Sequence, residues 1–229
     1  MRKGRFEKKA QRRSFSSKAV ALMMACVLLI GGVIGGTVAW LTAKDTPLVN
    51  KFSPSTIGVE LKEHTYDATS DKLTTTTTDD GVSNYKMIPG WTIPKDPEAW
   101  ITEDSEAAYL FVQITESDNF DSFMTYAIAD GWKLLDGTEA ASINTVEKDT
   151  YVIYREVAAG TSANAMGQAN AFQILKDDQV TVLDTVKAED MPATGSEPTL
   201  TFTAYASQLY KSSGVKFDVN TAWTNVSGN

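Results

Sequence analysis

Cysteine and histidine are almost missing from this chain: Cys26 and His64 are the sole representatives. One thiol excludes a disulfide within the chain, and Cys26 lies in an apolar N-terminal run, so whatever follows that run has no thiol at all. A domain without such staples must be held by its hydrophobic core, and roughly 190 residues beyond the run are enough to bury one. A single histidine is equally restrictive. Zinc hydrolases draw on two or three nitrogen ligands, and no H-E-x-x-H can be assembled here. A Ser-His-Asp triad would have to centre on His64 without a G-x-S-x-G elbow to present the serine. P-loop and G-x-G-x-x-G patterns are also missing. No metal site and no cofactor is expected, and His64, beside Glu63 in a strand pattern, reads as an exposed strand-end side chain.

Positive charge is scarce once the first 39 residues are set aside. Those residues hold eight of the 21 Lys and Arg (Arg2, Lys3, Arg5, Lys8, Lys9, Arg12, Arg13, Lys18) against one acid, Glu7. The remainder carries 13 basic and 28 acidic residues, a formal net charge of −15. Such a surface repels phosphate backbones, which argues against a nucleic-acid partner.

The basic head has a simpler explanation. Residues 1–18 form a basic n-region, and Ala19–Leu41 follows without a charge, with its apolar stretch over 19–34. Small residues close it, and Thr37 and Ala39 fit the narrow subsites of a signal peptidase, so cleavage is expected after Ala39, freeing Trp40. The competing reading is an uncleaved anchor, since ~20 apolar residues span a bilayer. The glycine-rich, A-x-A-like end favours cleavage. Arg12-Arg13-Ser14-Phe15 resembles a twin-arginine signal, but Gln11 precedes it where Ser or Thr is usual. A lipoprotein box at Leu22–Cys26 would leave Val27–Ile34 on the mature chain and is discounted. The protein is thus expected outside the cell or at its surface, touching the membrane through the leader alone.

Beyond Trp40 the apolar residues recur with period two. Ile57, Val59 and Leu61 alternate with polar neighbours, as do Leu110, Val112 and Ile114, while Tyr109 and Phe111 make the second face of that run apolar too. Further strands are expected over 151–157, 180–182 and 199–206, all rich in β-branched and aromatic residues. Residues 119–129 carry the best helical pattern, and a second short helix is expected over 219–226. Residues 67–84, with Thr74–Thr78 and Asp79-Asp80-Gly81, read as an exposed loop, the alternative being an edge strand. Many strands and few helices argue for an all-β antiparallel sandwich spanning 56–229, preceded by an extended segment over 40–55.

Chemistry-bearing patterns are weak. Asp104 with Glu106 and Asp177 with Asp178 read as solvated surface carboxylates. Asp79, Asp80, Asp118 and Asp121 lack the D-x-D-x-D-G order of a calcium loop. Met191–Gly195 looks like a sorting signal, yet a strand rather than an apolar span follows, so it reads as a loop. Trp91, Trp100, Trp132 and Trp223 are assigned to the core rather than to a carbohydrate platform.

The order of several motifs resembles the camelysin/TasA group of secreted proteins. The residues are Gly35-Gly36-Thr37-Val38-Ala39-Trp40-Leu41-Thr42 with Phe52 and Ile57–Leu61, then Ile88-Pro89-Gly90 through Lys95-Asp96-Pro97 to Ala108–Val112, and finally Leu200–Gln208 with Ala222-Trp223. The resemblance implies a jelly-roll sandwich, secretion by a Gram-positive bacterium through a SipW-type signal peptidase, and a non-enzymatic role in biofilm matrix or surface fibres. It also implies self-assembly with copies or related matrix proteins, with Trp40–Phe52 donated as a strand through Trp40, Leu41, Leu48, Val49 and Phe52. Pro47 would interrupt that strand. Two rivals stand beside this reading: a membrane-tethered monomeric adhesin or ligand-binding sandwich, and a camelysin-type metalloprotease, which a lone histidine disfavours.

Overall fold

The structure, a computed structural model, describes residues 16–18, 20–25, 56–67, 69–78, 85–142 and 150–228. The chain divides into two units, Met1–Ser53 and Pro54–Asn229. In the first, residues 17, 18 and 20–25 are helical, with Leu22, Met23 and Met24 exposed. No helix among the described residues is long and apolar enough to cross a membrane. The cleavage residues Thr37, Ala39 and Trp40 and the donor residues Leu41, Leu48, Val49 and Phe52 lie outside the described residues.

The second unit is built almost entirely from antiparallel strands. One four-stranded sheet contains β1 (Val59–Asp67), β2 (Lys72–Thr78), β4 (Glu98–Ile101) and β9 (Phe172–Gln173) in the order β2-β1-β4-β9. The second contains β5 (Ala108–Glu116), β7 (Lys133–Leu134), β8 (Thr150–Val157) and β11 (Leu200–Gln208) in the order β11-β5-β8-β7. A small sheet joins β3 (Thr92–Pro94), β10 (Gln179–Val182) and β6 (Met124–Thr125). A hairpin of β12 (Tyr210–Ser212) and β13 (Val215–Lys216) leads to a C-terminal helix, Val219–Ser227.

β5 explains why the sheets pack as they do. Ala108, Leu110, Val112 and Ile114 point to one side and are fully buried against Ala99 and Ile101 of β4 and Ile153 of β8. Ile57, Val59, Leu61 and Phe172 close over this core from the first sheet, so the two sheets face each other as a sandwich. Full burial of each large apolar side chain contributes roughly 1.5–3 kcal/mol. On the opposite side of β5, Tyr109 and Phe111 meet Leu209, Phe217, Ala222 and Trp223, so the C-terminal helix covers the outer face. Strand alternation therefore puts an apolar side chain on both faces because both faces are covered. The helix begins at Asp218, whose carboxylate accepts from the N–H groups of Asn220 and Thr221 at 3.1 Å each, and ends at Gly228 with φ 72°.

Three expectations need correction. Residues 119–129 do not form a helix: a 3-10 turn at Phe120–Ser122 is followed by β6, because Phe120 and Met124 are drawn into a core with Ile93, Leu175, Val180 and Val182. Tertiary burial overrides a short local pattern. Within residues 67–84, Lys72–Thr78 is an edge strand paired with β1, so the threonines extend a sheet, as β-branched residues favour. Of the four tryptophans, Trp100 and Trp132 are fully buried and Trp223 packs on Phe111 and Tyr205, but Trp91 is 51% exposed beside the Pro89-Gly90 turn. Residues 191–195 lie outside helix and strand, as the sequence suggests.

Candidate functional site

Two regions combine open backbone or polar chemistry with a fixed scaffold. The first is the free edge of β11. Its nine residues pair with β5 on one side, from Leu200↔Glu116 to Gln208↔Ala108. Just beyond the strand ends, the Ser117 N–H donates to Thr199 O and the Leu209 N–H donates to Ala107 O. That parity sets the whole ladder: odd-numbered residues of β11 exchange hydrogen bonds with β5, and even-numbered ones direct N–H and C=O away from it. The even set is also the inward apolar face, since Leu200, Phe202, Ala204 and Ala206 pack on the main core while staying half-buried. Among the described residues no strand pairs with this outer side. β1 passes close by, and its Val59 and Leu61, with Ile57 just before the strand, bring further half-buried apolar groups to the same edge of the sandwich.

The second region surrounds the single histidine. His64 is in the middle of β1 and half-buried, not an exposed strand-end residue. Its backbone N–H donates to Asp96 Oδ1 at 3.0 Å, and its Nδ1 lies 2.7 Å from Asp96 Oδ2. Facing a carboxylate, Nδ1 carries the proton and donates. Next to it, Lys95 Nζ donates to Glu63 at 2.6 Å and lies over the rings of Tyr85 and Phe202. The Lys95 N–H donates to the carbonyl of Asp178 at 2.8 Å, bringing β10 and its preceding turn into the cluster. Asp177 and Asp178 both adopt positive φ, 58° and 52°, which is costly for consecutive non-glycine residues.

Asp177 is exposed, as the surface reading has it, but Asp178 is half-buried, contrary to that reading. Burial pushes the Asp178 carboxyl above the usual range, with the charges of Asp96 and Asp177 adding to it. One of its oxygens is sealed from solvent without a hydrogen-bond partner. Burial likewise raises Glu98, which accepts from the Gly167 N–H at 2.7 Å and feels Asp178 and Asp96. A His–Asp pair backed by two carboxylates resembles half of a general-base relay. Among the described residues, however, no three His, Cys, Asp or Glu are disposed to hold a metal ion. The cluster ties β1 to the β3–β4 connection and to the turn before β10.

A third polar group is buried within the sandwich. The Tyr126 hydroxyl donates to Glu116 and lies 2.6 Å from the Tyr151 hydroxyl, and burial drives both phenols upward. Sequence reasoning missed Asp96 as the partner of His64. The signal for it, a Lys-Asp-Pro turn before β4, carries no fixed spacing from β1. No family model, no curated protein and no solved structure matches the chain.

Proposed function

We propose that this protein is an exported, non-enzymatic structural subunit of an extracellular matrix or cell-surface fibre, assembling by strand donation between copies. The observation that carries the reading is the outer side of β11: nine residues whose alternate backbone groups have no ladder partner among the described residues, above a half-buried apolar row. An edge of this kind is a template for an added strand. The occupant is Trp40–Phe52 of a second copy, released by a SipW-type signal peptidase cutting after Ala39. Its 13 residues extend to roughly 43 Å, more than the roughly 30 Å of β11. Trp40, Leu41, Leu48, Val49 and Phe52 supply apolar groups for Phe202, Ala204 and Ala206. Pro47 is tolerated where its nitrogen faces solvent. The jelly-roll connectivity belongs to the same proposal, as does a location outside a Gram-positive cell.

The test is deletion of Trp40–Phe52 in the protein exported by its host. The expected product folds and stays monomeric, as judged by sizing and electron microscopy, whereas the parent forms fibres. Fibres that persist after the deletion would refute strand donation.

A further inference from the structure

Arg155 is the only arginine after Arg13, every other basic residue of the β-domain being lysine. Its position is unusual. On β8, Tyr151, Ile153 and Val157 are buried in the sandwich core, and strand alternation puts Arg155 on that same inward face. Its register partner on β5 is Leu110, which is fully buried. The guanidinium carbon sits 3.7 Å from the ring centre of Phe172 on β9 and 5.2 Å from that of Trp132. Trp132 is itself locked, its indole N–H donating to Gln173 O at 2.7 Å. Stacking of this kind occupies the plane of a guanidinium and leaves its N–H edge for an acceptor.

That edge makes no hydrogen bond and no ion pair among the described residues, although acidic residues outnumber basic ones about two to one beyond residue 39. Burial is the sole cause that lowers its pKa, so no neighbouring carboxylate offsets the desolvation. None of its nitrogens is sealed off without a partner, so the edge is reachable from solvent. Gly131, with φ 86°, forms the rim: a Cβ there would stand 3.0 Å from an Arg155 terminal nitrogen. Its sequence neighbour Glu156 is paired with Lys216, and Lys133, across from Tyr154 on the adjoining strand, is paired with Glu139 at 3.3 Å. A single uncompensated positive charge in an acidic domain selects a monoanion over a phosphate or a polyanion.

We propose that Arg155 anchors a carboxylate-binding site at the β8–β9 edge of the sandwich, its N–H fork receiving the two oxygens of one carboxylate. This edge is the opposite one from β11, since β8 and β9 lie across the sheets from β11 and β1. The site is therefore independent of strand donation. The fork geometry suits a planar two-oxygen acceptor, and the aromatic packing limits competing water. The carboxylate is either a free small acid or an acidic side chain of a second copy.

The experiment uses the full chain in a neutral detergent, labelled with ¹⁵N-arginine. The Arg155 Nε–H signal, identified by its loss in Arg155→Gln, is followed while sodium acetate is titrated against matched sodium chloride. A saturable shift with Kd on the order of 1–10 mM is expected. Acetate should also raise the unfolding midpoint of the parent, not that of Arg155→Gln, with at least a tenfold weaker effect in Arg155→Lys, which keeps the charge but loses the fork. If those variants do not fold, the titration of the parent alone decides. An Arg155 signal that moves with protein concentration and returns on adding acetate identifies a second copy as the source; one that responds to acetate alone identifies a free acid. No saturable shift up to about 100 mM acetate, or an equal response to inorganic phosphate, overturns the proposal.

Discussion

Proline scanning of β11 turns the parity of its ladder into a sharp test of assembly. Thr203 is odd-numbered, so its N–H bonds to Gln113 of β5; Ala204 is even-numbered, so its N–H points to the free edge. Thr203→Pro deletes a ladder bond and strands the Gln113 carbonyl inside the sheet, which costs about 1–3 kcal/mol, with a φ mismatch of about 1–2 kcal/mol on top. Ala204→Pro leaves every bond to β5 in place and incurs about the φ mismatch alone. For a domain of this size, 1 kcal/mol moves the unfolding midpoint by ~2–4 °C. Thr203→Pro should therefore lower it by roughly 4–20 °C, and Ala204→Pro by no more than about 8 °C. The functional ranking is the reverse of what stability alone would give. Ala204→Pro removes an N–H from the middle of the accepting edge and puts a ring in the path of the incoming strand, so a folded protein should fail to form fibres. The assays are thermal unfolding by circular dichroism and fibre yield by sedimentation and electron microscopy. If Ala204→Pro assembles as the parent does, β11 is not the accepting edge.

Other outcomes follow from the same geometry. Intact mass and N-terminal sequencing of the exported protein should show a start at Trp40; retention of residues 1–39 would favour a tethered monomer. Leu110→Ala, at a fully buried position on the central strand, should cost about 2–5 kcal/mol in denaturant unfolding. Gly58→Ala should cost about 1–3 kcal/mol, because its Cβ would stand 2.2 Å from Thr102 Oγ1 next to the Gly58 N–H bond to Ser105, and a neutral outcome would mean that Thr102 rotates freely away. The Asp178 carboxyl has a folded pKa raised above its unfolded value, so the folded state binds the proton more tightly and stability falls as pH rises through that range. Asp178→Asn should then be more stable than the parent at pH 7, with the gap closing on acidification towards the ordinary carboxylate range; thermal unfolding at several pH values checks both sign and trend.

What the sequence revealed depended on whether a local pattern and its burial agreed. Tyr109–Ile114 announced a central strand because both of its faces are apolar, and β5 is indeed covered on both, by the opposing sheet and by the C-terminal helix. The short helix expected over 219–226 is present as Val219–Ser227, and the structure adds Asp218 as its cap. Residues 119–129 misled because Phe120 and Met124 serve a small satellite core rather than one face of a helix. The His64–Asp96 contact joins residues 32 apart through a turn without regular spacing, and nothing local announces it. Arg155 was invisible for a related reason. Its strand reads as apolar alternation with a charge where the inward face should continue, and only packing against Phe172 and Trp132 shows that the charge was kept there.

The placement of the C-terminal helix also bears on the order of events in making this protein. The outer face of β5 is closed by residues far along the chain: the Tyr109 hydroxyl donates to the carbonyl of Phe217, 108 positions later. β11, its other neighbour, is made almost as late. A nascent chain that already holds β5 and β8 therefore still lacks the second sheet partner of β5 and its outer cover until the final segment emerges. Contacts of such sequence separation form slowly and cooperatively. The sandwich core and its outer cover are thus both completed by the last elements to be made.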